Sequence, residues 1–228
     1  MRNDKILAVR LRKQGNSYNQ INKKLGLPKS TLSTWLKDIK ISDTAEKKIS
    51  RRAHLKSTTA LIKRNKLQTE LADERASQIR KIACKETEKL LNNKLFIAAI
   101  ALYWAEGYKK GAQGSKWKCV DFANSDPQMV KMMMLFFRTI CKAKDSCIKA
   151  QLIAHKNVNI AKSINYWSKI TEISKSNFFI SSVAANKNSK GKRRNTLEHG
   201  TIHIRIYSVE LFFKIIGWID GVKKYFAL

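Results

Sequence analysis

Apolar positions recur at helical spacing through the first part of the chain, where short turns separate them. Residues 3–14 predict a first helix that ends near Gly15, and Ser17 is a favourable N-cap for a second helix over residues 18–25. Pro28, near the first position of a third helix, follows a turn at Gly26. Apolar side chains fall where two short helices must pack at a steep angle: Ile21, Leu25, Leu27, Leu32 and Trp35. This pattern predicts a helix-turn-helix.

Residues 1–42 are thus predicted to form one small domain, which resembles the DNA-binding heads of transposases, resolvases and phage regulators. Asn22 is a departure, since such heads usually carry a small apolar residue there. The resemblance implies that the third helix enters the major groove, where hydroxyl groups meet base edges or phosphates and lysines meet phosphates. The side chains expected to face DNA are Lys29, Ser30, Thr31, Ser33, Thr34 and Lys37. The alternative is a three-helix cap with a solvated face.

The next section, residues 43–93, is predicted to be a basic helical connector. No glycine occurs between Gly26 and Gly107, and Pro28 is the one proline in that interval. Leu67, Leu71 and Ile79 belong to a row of apolar residues that marks one face of a long helix. That face is expected to pack on the C-terminal domain or on a partner chain.

The third section, residues 94–228, is predicted to be an α+β domain with a mostly antiparallel sheet. A buried helix over residues 94–106 opens it. The remaining predicted elements are strands over 117–124, 147–155, 177–185 and 201–208, and helices over 128–143, 159–173 and 209–222. The segment "IIGWIDGVKK" within the last helix is interpreted as a packing helix, with a second active-site helix as the alternative.

Charge narrows the class of partner. The chain has 46 Lys and Arg against 17 Asp and Glu, a net charge of +29 and an isoelectric point near 10.2. Such a surface repels itself unless a polyanion binds it, so nucleic acid is the expected partner and an anionic membrane the competitor. No apolar run approaches a spanning length or a signal peptide. We therefore expect a cytoplasmic, nucleoid-associated protein of a bacterial or phage-infected cell.

One acid stands out in the C-terminal section, at the end of the apolar run "AIALYWAEG". If this run is a helix, Glu106 lies in its last turn, where the helix dipole disfavours negative charge. Ala98, Ala101 and Ala105 lie on one face and would let a second helix approach closely. If that helix came from a second copy, two Glu106 side chains would meet, and a divalent cation such as Mg²⁺ would offset their repulsion.

The same nine residues resemble the helix motif of LAGLIDADG endonucleases. In that resemblance Ala101 and Ala105 take the close-packing positions, Glu106 the metal-binding acid and Gly107 the closing glycine. It implies a homodimer with one motif per chain, strands that form a DNA-binding saddle, and Mg²⁺-dependent cleavage of both DNA strands. Lys109 and Lys110 follow Glu106 directly and are expected to neutralise charge on the scissile phosphate.

Other interpretations stay open. The domain could be a degenerate relative that binds DNA without cutting it, in a transcriptional or mobile-element regulator. Glu106 could be an ordinary acid held by a nearby Lys or Arg, and charge alone could serve an RNA-binding or nucleoid protein. A basic loop over residues 186–195 is expected to grip phosphates through Lys187, Lys190, Lys192, Arg193 and Arg194, with solvated disorder as the alternative. The four cysteines show no metal-ligand spacing and are expected to be reduced.

Overall fold

The structure is a computed structural model that describes residues 2–155, 158–183 and 197–227, without the side chains of residues 2, 155 and 181–183. The chain divides into two compact units, Met1–Ala72 and Asp73–Leu228, with the boundary inside one long helix. The helices are α1 Arg2–Lys13, α2 Tyr18–Leu25, α3 Lys29–Leu36, α4 Asp43–Leu90, α5 Lys94–Glu106, α6 Pro127–Thr139, α7 Ile160–Thr171 and α8 Val209–Tyr225. The strands are β1 Val120–Asn124, β2 Ile148–His155, β3 Phe178–Val183 and β4 Thr201–Ile206.

The N-terminal unit is built around the predicted helix-turn-helix. Ser17 caps α2 in a reciprocal capping box with Gln20, and Gly26 ends α2 in the left-handed conformation with φ 67°. Asn22 donates from Nδ2 to the carbonyl of Leu27 at 2.6 Å, which ties α2 to the turn that follows it. The departure at this position therefore supplies a polar clasp in place of apolar packing.

The first part of α4 belongs to the same unit and packs on the turn between α1 and α2. A Cβ atom on Gly15 would lie 3.2 Å from the carbonyl oxygen of Ala45, so the two backbones approach closely. Arg52 donates from Nη1 to the carbonyl of Gly15 at 3.0 Å and to Oε1 of Gln20 at 3.3 Å. The core of this unit consists of Ala8, Ile21, Leu32 and Leu36, all fully buried or nearly so.

The C-terminal unit contains a four-stranded sheet in the order β1-β4-β2-β3. β4 pairs antiparallel with both β1 and β2, whereas β2 and β3 are parallel because the crossover helix α7 lies between them in sequence. The α+β class is thus confirmed, with two of the three strand pairs antiparallel. Gly107 adds an isolated bridge to Phe122 of β1, directly after α5 ends.

The two faces of the sheet differ in burial. Ile202, Ile204 and Ile206 of β4 are buried, while the residues between them are half-buried. Because partners in register share a face, Phe122 and Ala150 lie beside Ile204 on the buried face. The opposite face, called here the outer face, carries Asp121, Lys149, Gln151, His203 and Arg205.

Aromatic side chains fill much of the core that the helices form with the buried face. Trp218 of α8 lies edge-on to Phe96 of α5 at 5.5 Å between ring centroids and to Phe136 of α6 at 6.0 Å. Asp220 of α8 accepts hydrogen bonds from Arg80 of α4, at 3.0 Å from Nη2. The segment that echoes the motif of α5 is therefore a packing helix, as predicted. Among the described residues, no helix combines the length and apolarity that crossing a membrane requires.

Candidate nucleic-acid interface

The third helix presents a polar surface over two buried leucines. Leu32 and Leu36 are anchored in the core of the N-terminal unit. Five of the six predicted DNA-facing residues are exposed, namely Lys29, Ser30, Ser33, Thr34 and Lys37, and Thr31 is half-buried. The Thr34 hydroxyl donates to the carbonyl of Ser30 at 3.1 Å, which leaves its oxygen as an acceptor. The fold therefore brings the predicted recognition residues together on one accessible helix.

The first turn of α3 adds to this surface. Pro28 is the N-cap, and no side chain caps the helix. No acidic residue occupies the first turn, so the positive end of the helix dipole is not offset there. Backbone N–H groups at such a helix start suit phosphate oxygens.

The basic loop predicted over residues 186–195 falls in a part of the chain that the structure does not describe. Lys187, Lys190, Lys192, Arg193 and Arg194 lie outside the described residues.

Helix α5 has one face in the core and one in solvent. Phe96, Ala99, Ile100 and Tyr103 are buried in the core of the C-terminal unit. On the other side Ala101, Ala105 and Glu106 are exposed, and Ala98 is half-buried. The predicted small-residue stripe thus faces solvent in a single chain, with the carboxylate at its end.

Gly107 does not share that exposed surface, because it is buried where the chain turns from α5 towards β1. Its N–H donates to the carbonyl of Tyr103 at 2.8 Å, and an added Cβ would lie 2.5 Å from the same oxygen. Tyr108 then donates from its backbone N–H to the carbonyl of Asp121 at 2.8 Å. The glycine is therefore required by the close turn, and the stripe proper consists of the three alanines.

Lys109 interacts electrostatically with Glu106 at the end of α5. Lys109 donates from Nζ to the carbonyl of Gly107 at 2.6 Å and lies 3.5 Å from the carbonyl of Ala105. Burial lowers the pKa of Lys109, Glu106 acts in the opposite direction, and Lys223 lowers this pKa further. Lys223 also lies over the ring of Trp104, at 4.8 Å from Nζ to the centroid. The ammonium of Lys109 thus offsets the unfavourable position of Glu106 at the negative end of the helix dipole.

The two predicted catalytic lysines therefore have different surroundings. The ammonium of Lys109 is engaged with carbonyls at the helix end. Lys110 is exposed and begins a short 3₁₀ helix over Lys110–Gln113.

A metal site would need more carboxylates than one chain supplies here. Among the described residues no group of three or more His, Cys, Asp or Glu side chains could hold a metal ion. Glu106 offers one exposed carboxylate, and Asp121 is already paired with His203 and Arg205. The donor set at α5 fits Mg²⁺ only if a second copy brings its own Glu106 to the same place.

The outer face of the sheet holds a polar cluster that was not among the site residues predicted from the sequence. The side chain of Asp121 is only 7% exposed, and its Oδ1 lies 2.9 Å from Nδ1 of His203. Its Oδ2 accepts from Nε of Arg205, also at 2.9 Å. The guanidinium carbon of Arg205 lies 5.2 Å from the ring centroid of Trp117 and 5.5 Å from that of Phe179. The alternation of apolar and polar residues in "TIHIRI" places His203 and Arg205 on one face of the strand. This alternation is the sequence feature from which part of the cluster could have been predicted.

Comparison with known families bears on the first unit. Residues 2–40 match the family model of the CENP-B N-terminal DNA-binding domain. Comparisons with curated proteins and with solved structures found no match. The helices α1 to α3 therefore form a DNA-binding domain of helix-turn-helix type, and residues beyond 40 lie outside the matched region.

Proposed function

We propose that this protein is a sequence-directed binder of double-stranded DNA that acts as a homodimer and reads the major groove with α3. The observation that carries the proposal is the exposed polar surface of α3 within a region that matches a DNA-binding family. Ser30, Ser33 and Thr34 would contact base edges, while Lys29 and Lys37 would contact phosphates. Thr31, which is half-buried, would contact the backbone at the groove edge.

Selection of duplexes from a randomised library tests this proposal. We expect enrichment of a defined site, an altered preference at one position for Ser33→Ala, and an unchanged preference with weaker binding for Lys37→Ala. The salt dependence of Lys37→Ala should have a slope lower by about 1, since one phosphate contact is lost. No enrichment at any salt concentration would contradict the proposal and leave binding by charge alone.

The homodimer is proposed through the exposed face of α5. Small side chains at Ala98, Ala101 and Ala105 allow two helices to approach closely about a two-fold axis. Ala101→Glu should give a monomer, because two like charges would meet at the contact. The variant should still fold, because Ala101 is exposed in the single chain. Ala161→Glu, at an exposed alanine of α7, is the matched control. Light scattering at micromolar concentration measures both, and a monomeric wild type would overturn the dimer.

A second candidate function is Mg²⁺-dependent cleavage of the bound DNA, and the exposure of Glu106 beside the alanine stripe favours it. In a dimer formed through α5, Glu106 of each copy would hold the cation. Mg²⁺ held there would neutralise charge at the scissile phosphate. Lys110 would then face the phosphate, and Lys109 would hold the helix end that carries the carboxylate.

Cleavage of a randomised duplex library with Mg²⁺ or with chelator separates nuclease from regulator. We expect wild type to cut with Mg²⁺, Glu106→Gln to bind without cutting, and Glu88→Gln, at an exposed acid of α4, to cut normally. Site-selective binding by wild type without cutting would exclude the nuclease and favour a transcriptional or mobile-element regulator.

A further inference from the structure

We propose that the outer face of the sheet binds single-stranded nucleic acid, with unpaired bases stacked on an aromatic platform. The platform consists of Trp117, Phe179, His203 and Arg205, with Lys149 in register beside Arg205. This site shares no residue with α3 or with the exposed face of α5, and it goes beyond the duplex binding proposed above.

Arg205 is held in place before any ligand arrives. Asp121 accepts from its Nε at 2.9 Å, and the rings of Trp117 and Phe179 lie within 5.5 Å of the guanidinium carbon. Trp117 is itself supported by Tyr108, at 4.5 Å between ring centroids, yet 38% of it stays exposed. A fixed guanidinium plane flanked by partly exposed rings is a surface on which bases stack.

His203 supplies a polar contact at the centre of the platform. The carboxylate of Asp121 already accepts from Nε of Arg205 and can only accept, so Nδ1 of His203 donates to its other oxygen. This bond leaves Nε2 of the neutral ring as an acceptor. A base amino group or a ribose hydroxyl could donate to this nitrogen. A base amino group is free to do so when the base has no Watson–Crick partner.

The charges on this face suit a phosphate backbone. The acid of the cluster, Asp121, is buried and its charge is balanced by Arg205, so it does not repel phosphates. Lys149 donates from Nζ to Oδ1 of Asn177 at 2.6 Å and keeps its positive charge at the edge of the platform. Bases can stack on protein rings only where they are not stacked on each other in a helix. The outer face therefore favours a single strand over a duplex.

Fluorescence anisotropy with 12-nucleotide oligonucleotides and the full chain tests the proposal. We expect Phe179→Ala to weaken binding of single strands roughly 5- to 150-fold, the range for loss of one stacked base. Phe226→Ala removes an exposed phenylalanine near the end of the chain and should leave affinity unchanged. Phe179→Tyr should restore binding and Phe179→Leu should not, because leucine keeps apolar volume without a stacking surface.

Ultraviolet crosslinking of a 5-iodouridine strand, mapped by mass spectrometry, locates the bound strand. Crosslinks at Trp117 or Phe179 support the proposal. It is overturned if all variants bind single strands equally, or if Phe179→Ala weakens blunt duplex and single strand to the same degree. Lys37→Ala should leave single-strand affinity unchanged, so failure of the platform and failure of the α3 proposal are distinguishable.

Discussion

Gly221 of α8 packs directly against Thr87 of α4. A Cβ atom built on Gly221 would lie 2.6 Å from Cβ of Thr87 and 2.7 Å from the carbonyl oxygen of Cys84. Thr87 is buried and turns its hydroxyl onto the carbonyl of Ala83 at 3.1 Å. Four residues earlier, Gly217 would place a Cβ 2.8 Å from that of Ala83. The two glycines therefore let α8 and α4 cross at close range.

Gly221→Ala should destabilise the C-terminal unit, although the change favours a helix. Replacing a glycine inside a helix by alanine ordinarily stabilises by about 0.5–1 kcal/mol. Here the added methyl overlaps Thr87, and overpacking of this kind costs about 1–3 kcal/mol. Urea unfolding measures the sign, with Ser77→Ala at an exposed position of α4 as control. An increase in the free energy of unfolding for Gly221→Ala would contradict the prediction and show that α4 and α8 can move apart at little cost.

Asn22→Ala should weaken the helix-turn-helix. The change removes the 2.6 Å hydrogen bond from Nδ2 to the carbonyl of Leu27. We expect a loss of about 1 kcal/mol in the free energy of unfolding of the N-terminal unit. Asn19→Ala, at an exposed position of the same helix, should cost less. Circular dichroism on heating measures the stability of both variants. Equal losses of stability from Asn22→Ala and Asn19→Ala would mean that the hydrogen bond of Asn22 contributes nothing specific.

Lys109 should titrate below the ordinary lysine value of 10.5, because burial lowers its pKa. The unfolded chain then binds more protons than the folded chain between the two pKa values. The contribution of Lys109 to stability therefore rises with pH in that window. Nuclear magnetic resonance of ¹³C-labelled lysine side chains measures the titration, with Lys109→Arg to assign the signal. A pKa of Lys109 at or above 10.5 would contradict the conclusion that burial has the largest effect on this pKa.

Thiol labelling should separate the cysteines by location. Burial raises the pKa of Cys119 to about 12 and also raises that of Cys141, so both stay protonated near neutral pH. Cys147 is exposed. We expect N-ethylmaleimide to modify Cys147 in the folded protein, and Cys119 and Cys141 only after unfolding. Peptide mass mapping measures the sites, and modification of Cys119 under native conditions would contradict the packing around β1.

Element types followed closely from local patterns. Ser17, Asn93 and Asp126 each cap a helix at or within two residues of the predicted start, because capping side chains act within one turn. Strand pairing was less accessible, since the parallel pair of β2 and β3 depends on long-range packing of the crossover. β1 begins at Val120, three residues after its predicted start, because Trp117 turns towards Arg205 instead of joining the ladder.

The candidate sites likewise contain features that follow from local sequence patterns and features that depend on long-range contacts. The exposed face of α3 could be predicted because it follows from helical period and two buried leucines. The engagement of Lys109 with carbonyls could not, since it depends on how the chain leaves α5. The contact of Asp121 with His203 joins residues 82 positions apart, and no local pattern records such a pairing.

The position of β4 between β1 and β2 has a consequence for synthesis of the protein. The neighbours of β4 in the sheet are made first, yet neither can form its ladder with β4 until residues 201–206 have left the ribosome. The hydrogen-bonding edges of β1 and β2 that β4 will occupy are therefore unpaired from the time each strand is made until β4 follows. The contacts of α1 to α3 are local, so the DNA-binding head can fold while the remainder is being made. The helix-turn-helix is thus expected to be folded before the sheet of the C-terminal unit is complete.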